Sequence, residues 1–258
     1  MNTLNRRAIE TLEIPLAVRV DFHEEIGSTQ VRARDLAREG TPHGTLVVSR
    51  VQKSGRGRLG RNWGSPAGGL WMSVVLRLDL PPRLASRVTP AAAVGVTKTL
   101  REMGVDARIK WPNDIFVDER KICGILAESG GRDPDRFIVL GVGINANTDP
   151  QELGASPDRV TTLRSELGRD VDLVELLGSL LSKLDADLDR LHDFGTVLDE
   201  WRALDCTLGR RVRVQRFGQS VQGTATDLGP EGQLVIQTRD GSIEVFEGDV
   251  QHLRHESN

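Results

Sequence analysis

The chain has 258 residues, a formal charge of −3, 38% hydrophobic residues and 28% charged residues. This balance is typical of a globular protein of one or two domains and excludes wholesale disorder. No apolar run approaches the roughly 18 residues that cross a bilayer, and the N-terminal stretch MNTLNRRAIETLEIPL has no apolar signal-peptide segment. We therefore expect a cytoplasmic protein that does not engage a membrane.

The first half of the chain alternates between strand and helix patterns. Strands rich in β-branched or alternating apolar residues are predicted over 16–22, 45–51 and 70–78. Ser28 or Thr29 is placed to cap a helix that runs to about residue 39 and ends at Gly40. Apolar residues at helical spacing predict a second helix over 84–103, which ends at Gly104.

The middle of the chain predicts more strands and then a helical part. Short extended segments over 107–111 and 114–117 flank the turn WPND, and the apolar stretches 120–129 and 137–145 are typical of central strands. Leucines at helical spacing then predict a helix over 173–194, and a further helix is predicted over 196–204.

After Gly209 the sequence becomes a series of short strand patterns separated by glycine turns. This texture predicts a small β-barrel of roughly 50 residues, and we divide the chain into domains 1–206 and 207–258. Six arginines balance six acidic residues in 207–254, so the barrel lacks the basic surface of a nucleic-acid binder. A structural role and a binding role both stay open for it.

The charge of the chain is unevenly distributed. No Asp or Glu lies between Glu39 and Asp79, although the chain has 37 acidic residues. Five arginines and one lysine fall in this interval, which contains the stretch GRGRLGRNWGSPAGG over 55–69. A local positive field in a mildly acidic protein predicts a site for a small anion rather than a broad nucleic-acid surface.

The stretch 55–69 formally contains GxGxxG, the pattern of dinucleotide-binding loops. That function requires a helix whose N-terminus faces the pyrophosphate, but RNWGSPAGG opposes a helix and a strand is predicted next. The Walker pattern GK[ST] is absent. Two interpretations remain: a solvated flexible loop, or a lid whose arginines and Trp63 close over an anionic ligand.

Three further segments carry polar residues of the same kind. KWPND over 110–114 places a cation, a carboxamide and a carboxylate in one turn, although it is equally the pattern of a plain turn between strands. Lys121 begins an apolar strand, either as a solvated flank or as a cation that points into a cleft. GVGIN over 141–145 puts glycines inside a strand, which favours a close approach to the backbone.

The cysteines and histidines predict no metal centre. Cys123 and Cys206 lie far apart, and the five histidines form no zinc-protease pattern. Cys123 lies inside an apolar strand, where we expect a role in the core rather than a reactive thiolate.

Taken together, GST (27–29), GRGRLGRNW (55–63), KWPND (110–114), RKICGIL (120–126) and GVGIN (141–145) resemble bacterial biotin protein ligase over residues of about 20 to 200. The resemblance implies an α+β fold in which a mixed β-sheet catalytic core has flanking helices, as in class II aminoacyl-tRNA synthetases and lipoate ligases. It also implies that the C-terminal β-barrel is SH3-like.

The same resemblance implies a two-step reaction with biotin, ATP and Mg²⁺. Biotin and ATP give biotinyl-5′-AMP and pyrophosphate, and the adenylate then acylates one lysine of the biotin carboxyl carrier domain of acetyl-CoA carboxylase or a related carboxylase. The residues suit this chemistry, because two anions must be brought together and fixed cations offset their repulsion.

Roles follow from matching positions to the motifs. Lys121 and Arg58 are the predicted catalytic residues, and both face the carboxylate and the α-phosphate. The predicted biotin-binding residues are Ser28, Thr29, Gln30, Gln52, Arg56, Gly57, Arg58, Lys121, Gly124, Gly141 and Gly143. The predicted ATP-binding residues are Arg58, Arg61, Trp63, Lys110, Asn113, Asp114, Lys121 and Asn145, with Asp114 also near the metal.

Two departures from the family pattern bear on function. Gln30 stands where the family usually has Asn, which keeps the amide but moves it. About 20 residues precede the core, too few for the helix-turn-helix domain of the bifunctional members. We therefore expect a ligase without operator-DNA binding, and we leave a homodimer open.

Two alternatives remain. A lipoate or octanoate ligase or transferase of the same fold is the first, with Cys123 as the nominal nucleophile of a transferase. A biotin-sensing transcriptional regulator is the second, and the neutral barrel speaks against it.

Overall fold

The computed structural model describes residues 4–216 and 219–253. The described helices are α1 (Arg6–Glu10), α2 (Thr29–Arg38), α3 (Val88–Glu102), α4 (Leu163–Leu167), α5 (Leu173–Asp189) and α6 (Phe194–Leu204). The strands before residue 150 are β1 (Arg19–Ile26), β2 (Thr45–Arg56), β3 (Asn62–Ser65), β4 (Leu70–Leu76), β5 (Arg108–Lys110), β6 (Asp114–Val117), β7 (Arg120–Gly130) and β8 (Phe137–Ile144).

These eight strands form one mixed sheet. Its order is β1-β2-β4-β8-β7-β6-β5, and β3 pairs with the end of β2. Strands β1 and β2 run parallel, and the other pairs are antiparallel. The predicted fold class, a mixed sheet with flanking helices, is therefore confirmed.

Both faces of the sheet are covered because its central strands are apolar on both sides. Val47 of β2 packs with Val75 and Val139 beneath α2. Leu46 and Val48, its neighbours on the same strand, belong to the larger core that includes α3, α5 and α6. Alternation along a strand sends successive side chains to opposite faces, so β2 serves two separate cores.

The C-terminal strands form a second, antiparallel sheet. The strands are β9 (Arg211–Arg216), β10 (Gln219–Leu228), β11 (Leu234–Thr238), β12 (Gly241–Val245) and β13 (Asp249–His252), in the order β12-β11-β10-β9-β13. This architecture agrees with the predicted SH3-like barrel. Trp111 Nε1 donates to the Gly232 carbonyl at 2.9 Å, and Arg87 pairs with Glu231, so the barrel packs directly on the core.

Most predicted elements are present, with several differences. The helix predicted over 173–194 ends at Asp189, and the short helices α1 and α4 were not predicted. The strand predicted over 16–22 instead occupies Arg19–Ile26, because Pro15–Ala17 form a 3₁₀ turn. The helix predicted over 84–103 begins as a 3₁₀ segment, Pro82–Arg87, before α3. Strand β3 was not predicted, because its glycine-rich sequence has no strand pattern. Among the described residues, no helix is long and apolar enough to cross a membrane.

Candidate functional site

A cavity of about 330 Å³ lies on the α2 face of the sheet, beneath the segment that joins β2 to β4. Its wall contains all of the predicted site residues except Ser28 and Lys110. The predicted residues that line it are Thr29, Gln30, Gln52, Arg56, Gly57, Arg58, Arg61, Trp63, Asn113, Asp114, Lys121, Gly124, Gly141, Gly143 and Asn145.

One end of the cavity is polar but uncharged, and the N-terminus of α2 builds it. Gln52 of β2 caps this helix, because its Oε1 accepts from the Thr29 backbone N–H at 2.8 Å. The Thr29 hydroxyl lies 2.9 Å from the Ser73 hydroxyl of β4, and Ser73 donates to Gln30 Oε1 at 3.1 Å. A connected hydrogen-bond network therefore holds these side chains in place.

Ser28 lies behind this end rather than in the cavity wall. It precedes α2 in the N-cap position, but its side chain makes no capping hydrogen bond. Its hydroxyl is buried and has no partner in the described part of the chain. An unpaired buried hydroxyl costs free energy, and contact of Ser28 with a ligand stays a prediction.

The opposite end of the cavity is cationic. Lys121 Nζ lies 2.7 Å from Asp114 Oδ1 and 4.8 Å from the centre of the Trp63 ring. Backbone hydrogen bonds fix Lys121 against the segment 159–161, since its N–H donates to the Arg159 carbonyl and its carbonyl accepts from Thr161.

Arg58 is the second cation at this end, and Asn113 holds it. Arg58 Nη1 donates to Asn113 Oδ1 at 2.8 Å, while Asn113 Nδ2 donates to the Ile125 carbonyl at 2.7 Å. Asn113 is therefore locked to β7 and orients the guanidinium. Burial lowers the pKa of Arg58, and nearby Asp114 opposes that shift, so the guanidinium stays charged.

The glycine-arginine stretch is an extension of the sheet rather than a helix-forming phosphate loop. Strand β2 continues to Arg56, the chain turns through residues 58–60, and β3 returns antiparallel. Gly60 and Leu59 both have positive φ, 73° and 56°, which makes the reversal tight. The predicted absence of a helix here is confirmed, which excludes the dinucleotide interpretation. The lid stays a prediction.

Trp63 covers the strand glycines inside the cavity. A Cβ at Gly143 would lie 2.6 Å from Trp63 Nε1, and one at Gly124 would lie 3.2 Å from the same indole. Trp63 packs edge-on to Trp71, with ring centres 6.4 Å apart. The close approach to β7 and β8 in this structure is thus made by Trp63, and direct contact of a ligand with these glycines stays a prediction.

Arg61 is held by the C-terminal sheet. Its guanidinium makes two hydrogen bonds with the carboxylate of Asp249, at the start of β13, and both residues line the cavity. The glycine-arginine stretch is therefore joined to the C-terminal domain across the cavity mouth.

Lys110 and Asn145 complete the predicted nucleotide set in different ways. Lys110 lies outside the cavity wall, with Nζ 4.5 Å from the centre of the Phe116 ring, and burial lowers its pKa. Asn145 lines the cavity and donates to the Thr161 carbonyl at 3.1 Å. Its Oδ1 is buried without a partner among the described residues, so it offers an acceptor to a ligand.

The described wall carries four cationic side chains, of Arg56, Arg58, Arg61 and Lys121, and two carboxylates, of Asp114 and Asp249. This excess of positive charge suits an anionic ligand. The described residues contain no group of three His, Cys, Asp or Glu that would form a metal centre. Mg²⁺ needs only one or two carboxylates when phosphates supply further ligands, which Asp114 fits.

Several lining residues escaped the sequence analysis. Leu153 and Val160 line the cavity, and with Trp71 they form an apolar cluster against which Trp63 packs. The segment that carries Leu153 and Val160 has no regular pattern in the sequence. Ser73 and Asp249 were also missed. Ser73 looks like an ordinary strand residue, and Asp249 is 188 residues from its partner Arg61.

Comparisons with family models and known proteins show which family this chain belongs to. The model of the biotin/lipoate A/B protein ligase family matches residues 24–145, and the biotin protein ligase C-terminal domain matches 207–253. The biotin–[acetyl-CoA-carboxylase] ligase of Mycobacterium tuberculosis is 32% identical over 91% of this chain and 89% of its own. The bifunctional ligase/repressor BirA of Bacillus subtilis is 33% identical over 89% of this chain and 73% of its own.

A solved structure is similar over nearly the whole fold. The biotin protein ligase of Aquifex aeolicus, in complex with biotin and ATP, has a TM-score of 0.77 and 29% identity, and the match covers 92% of this chain and 99% of that one. With relatives above 30% identity along most of their length, this chain belongs to the biotin protein ligase family.

Proposed function

We propose that this protein activates biotin with ATP and transfers it to a lysine of a biotin carboxyl carrier domain. The observation that carries the proposal is the polarity of the cavity: its α2 end is polar and neutral, and its other end presents Arg58 and Lys121. A neutral ureido ring suits the first end, and a carboxylate beside a phosphate suits the second.

In the first step a biotin carboxylate oxygen forms a bond to the α-phosphorus of ATP, and the bond to the β-phosphate oxygen breaks, which releases pyrophosphate. Two unit charges about 4 Å apart repel by roughly 4 kcal/mol at an effective dielectric constant near 20. Arg58 and Lys121 offset this repulsion and stabilise the charge that develops on the phosphate. No enzyme nucleophile takes part.

In the second step the lysine amine of the carrier attacks the carbonyl of the mixed anhydride, and AMP leaves with the electrons of the broken C–O bond. Placement of the two reactants accounts for the rate. Mg²⁺, when bound, neutralises phosphate charge, and Asp114 is the side chain proposed to hold it. Asp114 pairs with Lys121 in this structure, so a metal ion held by Asp114 would compete with Lys121 for the same carboxylate.

Observations on Cys123 weigh against a transferase with a cysteine nucleophile. Its side chain is fully buried in β7, and burial raises the pKa of the thiol well above its ordinary range. A thiol of this kind is unreactive, so the octanoyl-transferase alternative loses its nucleophile.

Four further statements belong to the proposal. The domains meet at residues 206 and 207, the protein acts in the cytoplasm, it does not bind operator DNA, and a homodimer is possible. Specific, salt-resistant binding to the promoter of its own operon in a gel-shift would contradict the statement that it does not bind operator DNA.

The test is to incubate the protein with MgATP and either labelled biotin or labelled lipoate and to follow pyrophosphate release. We expect release that depends on biotin. Turnover with lipoate alone would refute the proposal.

A further inference from the structure

Gln30 stands where the family usually has Asn, and both polar atoms of its side-chain amide make hydrogen bonds. The residue is buried, with 3% of its surface exposed. Its Nε2 donates to Glu128 Oε2 at 2.9 Å and to the Val139 carbonyl at 3.1 Å, and its Oε1 accepts from Ser73 at 3.1 Å. The two N–H groups therefore meet two acceptors.

These partners fix which way the amide points. If the amide were reversed, Oε1 would face the Glu128 carboxylate and the Val139 carbonyl, an arrangement of acceptors against acceptors. The oxygen must instead point away from them. It lies over Gly141, where a Cβ would be 2.5 Å from it, so only glycine leaves room for this orientation.

Glu128 is itself held by α2. Arg34, one helical turn after Gln30, donates from Nη2 to the same Glu128 oxygen that accepts from Gln30. The Glu128 and Arg34 side chains are 34% and 24% exposed, and neither residue lines the cavity. The pair therefore makes no direct contact with the cavity, and Gln30 is its hydrogen-bonded link to the wall.

The Gln30 oxygen has capacity for one more donor. A carbonyl oxygen accepts two hydrogen bonds, and Ser73 supplies one. Since Gln30 lines the neutral end of the cavity, the second is available to a ligand that carries an N–H group.

We propose that Glu128 and Arg34 are positioning residues that hold the Gln30 amide with its oxygen toward the cavity, so that Gln30 selects a ligand whose ring donates N–H. The proposal rests on the proposed function. The ureido ring of biotin has such donors, and the dithiolane ring of lipoate has none. The methylene that Gln30 gains over Asn carries the amide to Glu128 and Val139.

The experiment measures biotin-dependent pyrophosphate release by Glu128→Met, with Glu128→Gln as the conservative variant. Asp21→Asn is the matched control, because it removes the charge from another ion pair of α2, between Arg32 and Asp21, and Asp21 has no contact with Gln30 among the described hydrogen bonds. Loss of a hydrogen bond to a charged group corresponds to roughly a tenfold change. We expect the biotin KM of Glu128→Met to rise about tenfold, with kcat and the ATP KM within about twofold.

Glu128→Gln keeps an acceptor oxygen, so we expect its biotin KM to stay within about threefold of wild type, and that of Asp21→Asn to be unchanged. In a Gln30→Met background, Glu128→Met should add nothing, since it acts through Gln30. Thermal unfolding checks that each variant folds. Arg34→Met provides the same test, with a smaller rise, if Glu128→Met is unfolded.

The outcomes separate the two claims. The positioning role would be overturned if the biotin KM of Glu128→Met equalled that of Asp21→Asn. It would also be overturned if the increases in biotin KM of Gln30→Met and Glu128→Met multiplied in the double variant. In both cases the ligase function would stand. A wild-type protein that forms no biotinyl-AMP would overturn the proposed function and the positioning role with it.

Discussion

Gly143→Ala is the substitution whose consequence follows most directly from the packing of the cavity. The added Cβ would lie 2.6 Å from Nε1 and 3.0 Å from Cε2 of Trp63, whereas non-bonded heavy atoms prefer about 3.5–4.0 Å. The indole must therefore move by roughly 1 Å. It has little freedom to do so, because Trp71 packs against one side of it and the Lys121 ammonium lies 4.8 Å from its centre.

Overpacking of this kind costs about 1–3 kcal/mol. We expect the free energy of unfolding, measured in urea, to fall by about that amount. We also expect kcat/KM for biotin-dependent pyrophosphate release to fall at least tenfold, since a displaced Trp63 also displaces Lys121.

The control is Gly195→Ala in α6, where a Cβ meets nothing within 4 Å. This variant should keep full activity, and its unfolding free energy should stay the same or rise. Trp63→Leu in the Gly143→Ala background should restore stability but not activity. If Gly143→Ala alone has wild-type stability and activity, the packing of Trp63 on β8 is not what the site depends on.

Three other expectations concern chemistry and pH. Lys121→Ala and Arg58→Ala should each lower the rate of adenylate formation by about 10²–10³, the usual cost of removing a group that stabilises developing charge. In a biotin sensor these substitutions would change only the affinity for ligand. Rapid-quench kinetics distinguishes a change of rate from a change of affinity. Cys123→Ala should keep kcat within about threefold of wild type in the same assay. A loss of activity in this variant would restore the transferase alternative. Burial raises the pKa of Asp205 from 3.8 to about 6, so the folded state binds the extra proton and this contribution to stability is lost as pH rises from 4 to 6. The unfolding free energy of Asp205→Asn minus that of wild type should therefore increase by up to about 3 kcal/mol between pH 4 and 7. Burial lowers the pKa of His252 to about 4, which has the opposite effect on stability, but both proteins contain His252 and its effect cancels in the subtraction. A difference that does not change across this pH range would contradict the burial argument.

The sequence predicted those parts of the fold and site whose causes are local. Helix α2 follows from its position after Gly27-Ser28 and its end at Gly40, and β8 follows from an apolar run of strand length. The charge pattern of 55–69 likewise predicted a gathering of cations, and Arg56, Arg58 and Arg61 do line one cavity.

What the sequence did not predict depends on contacts between distant segments. Asp249 meets Arg61 only because β13 reaches the cavity mouth. Glu128 meets Gln30 only because α2 packs on the sheet next to β7. Lys110 lies opposite Asp114 in the β5–β6 pairing, but its ammonium lies over the Phe116 ring and outside the cavity wall. Its predicted role in nucleotide binding stays a prediction.

The most direct test of the proposed chemistry is a single-turnover reaction with biotin, MgATP and a carrier domain that has one acceptor lysine. The account predicts that biotinyl-AMP forms first with release of one pyrophosphate, and that the carrier then gains one biotinyl group on that lysine while AMP is released. Biotin transfer without an adenylate intermediate, or through a covalent enzyme–biotin species, would contradict it.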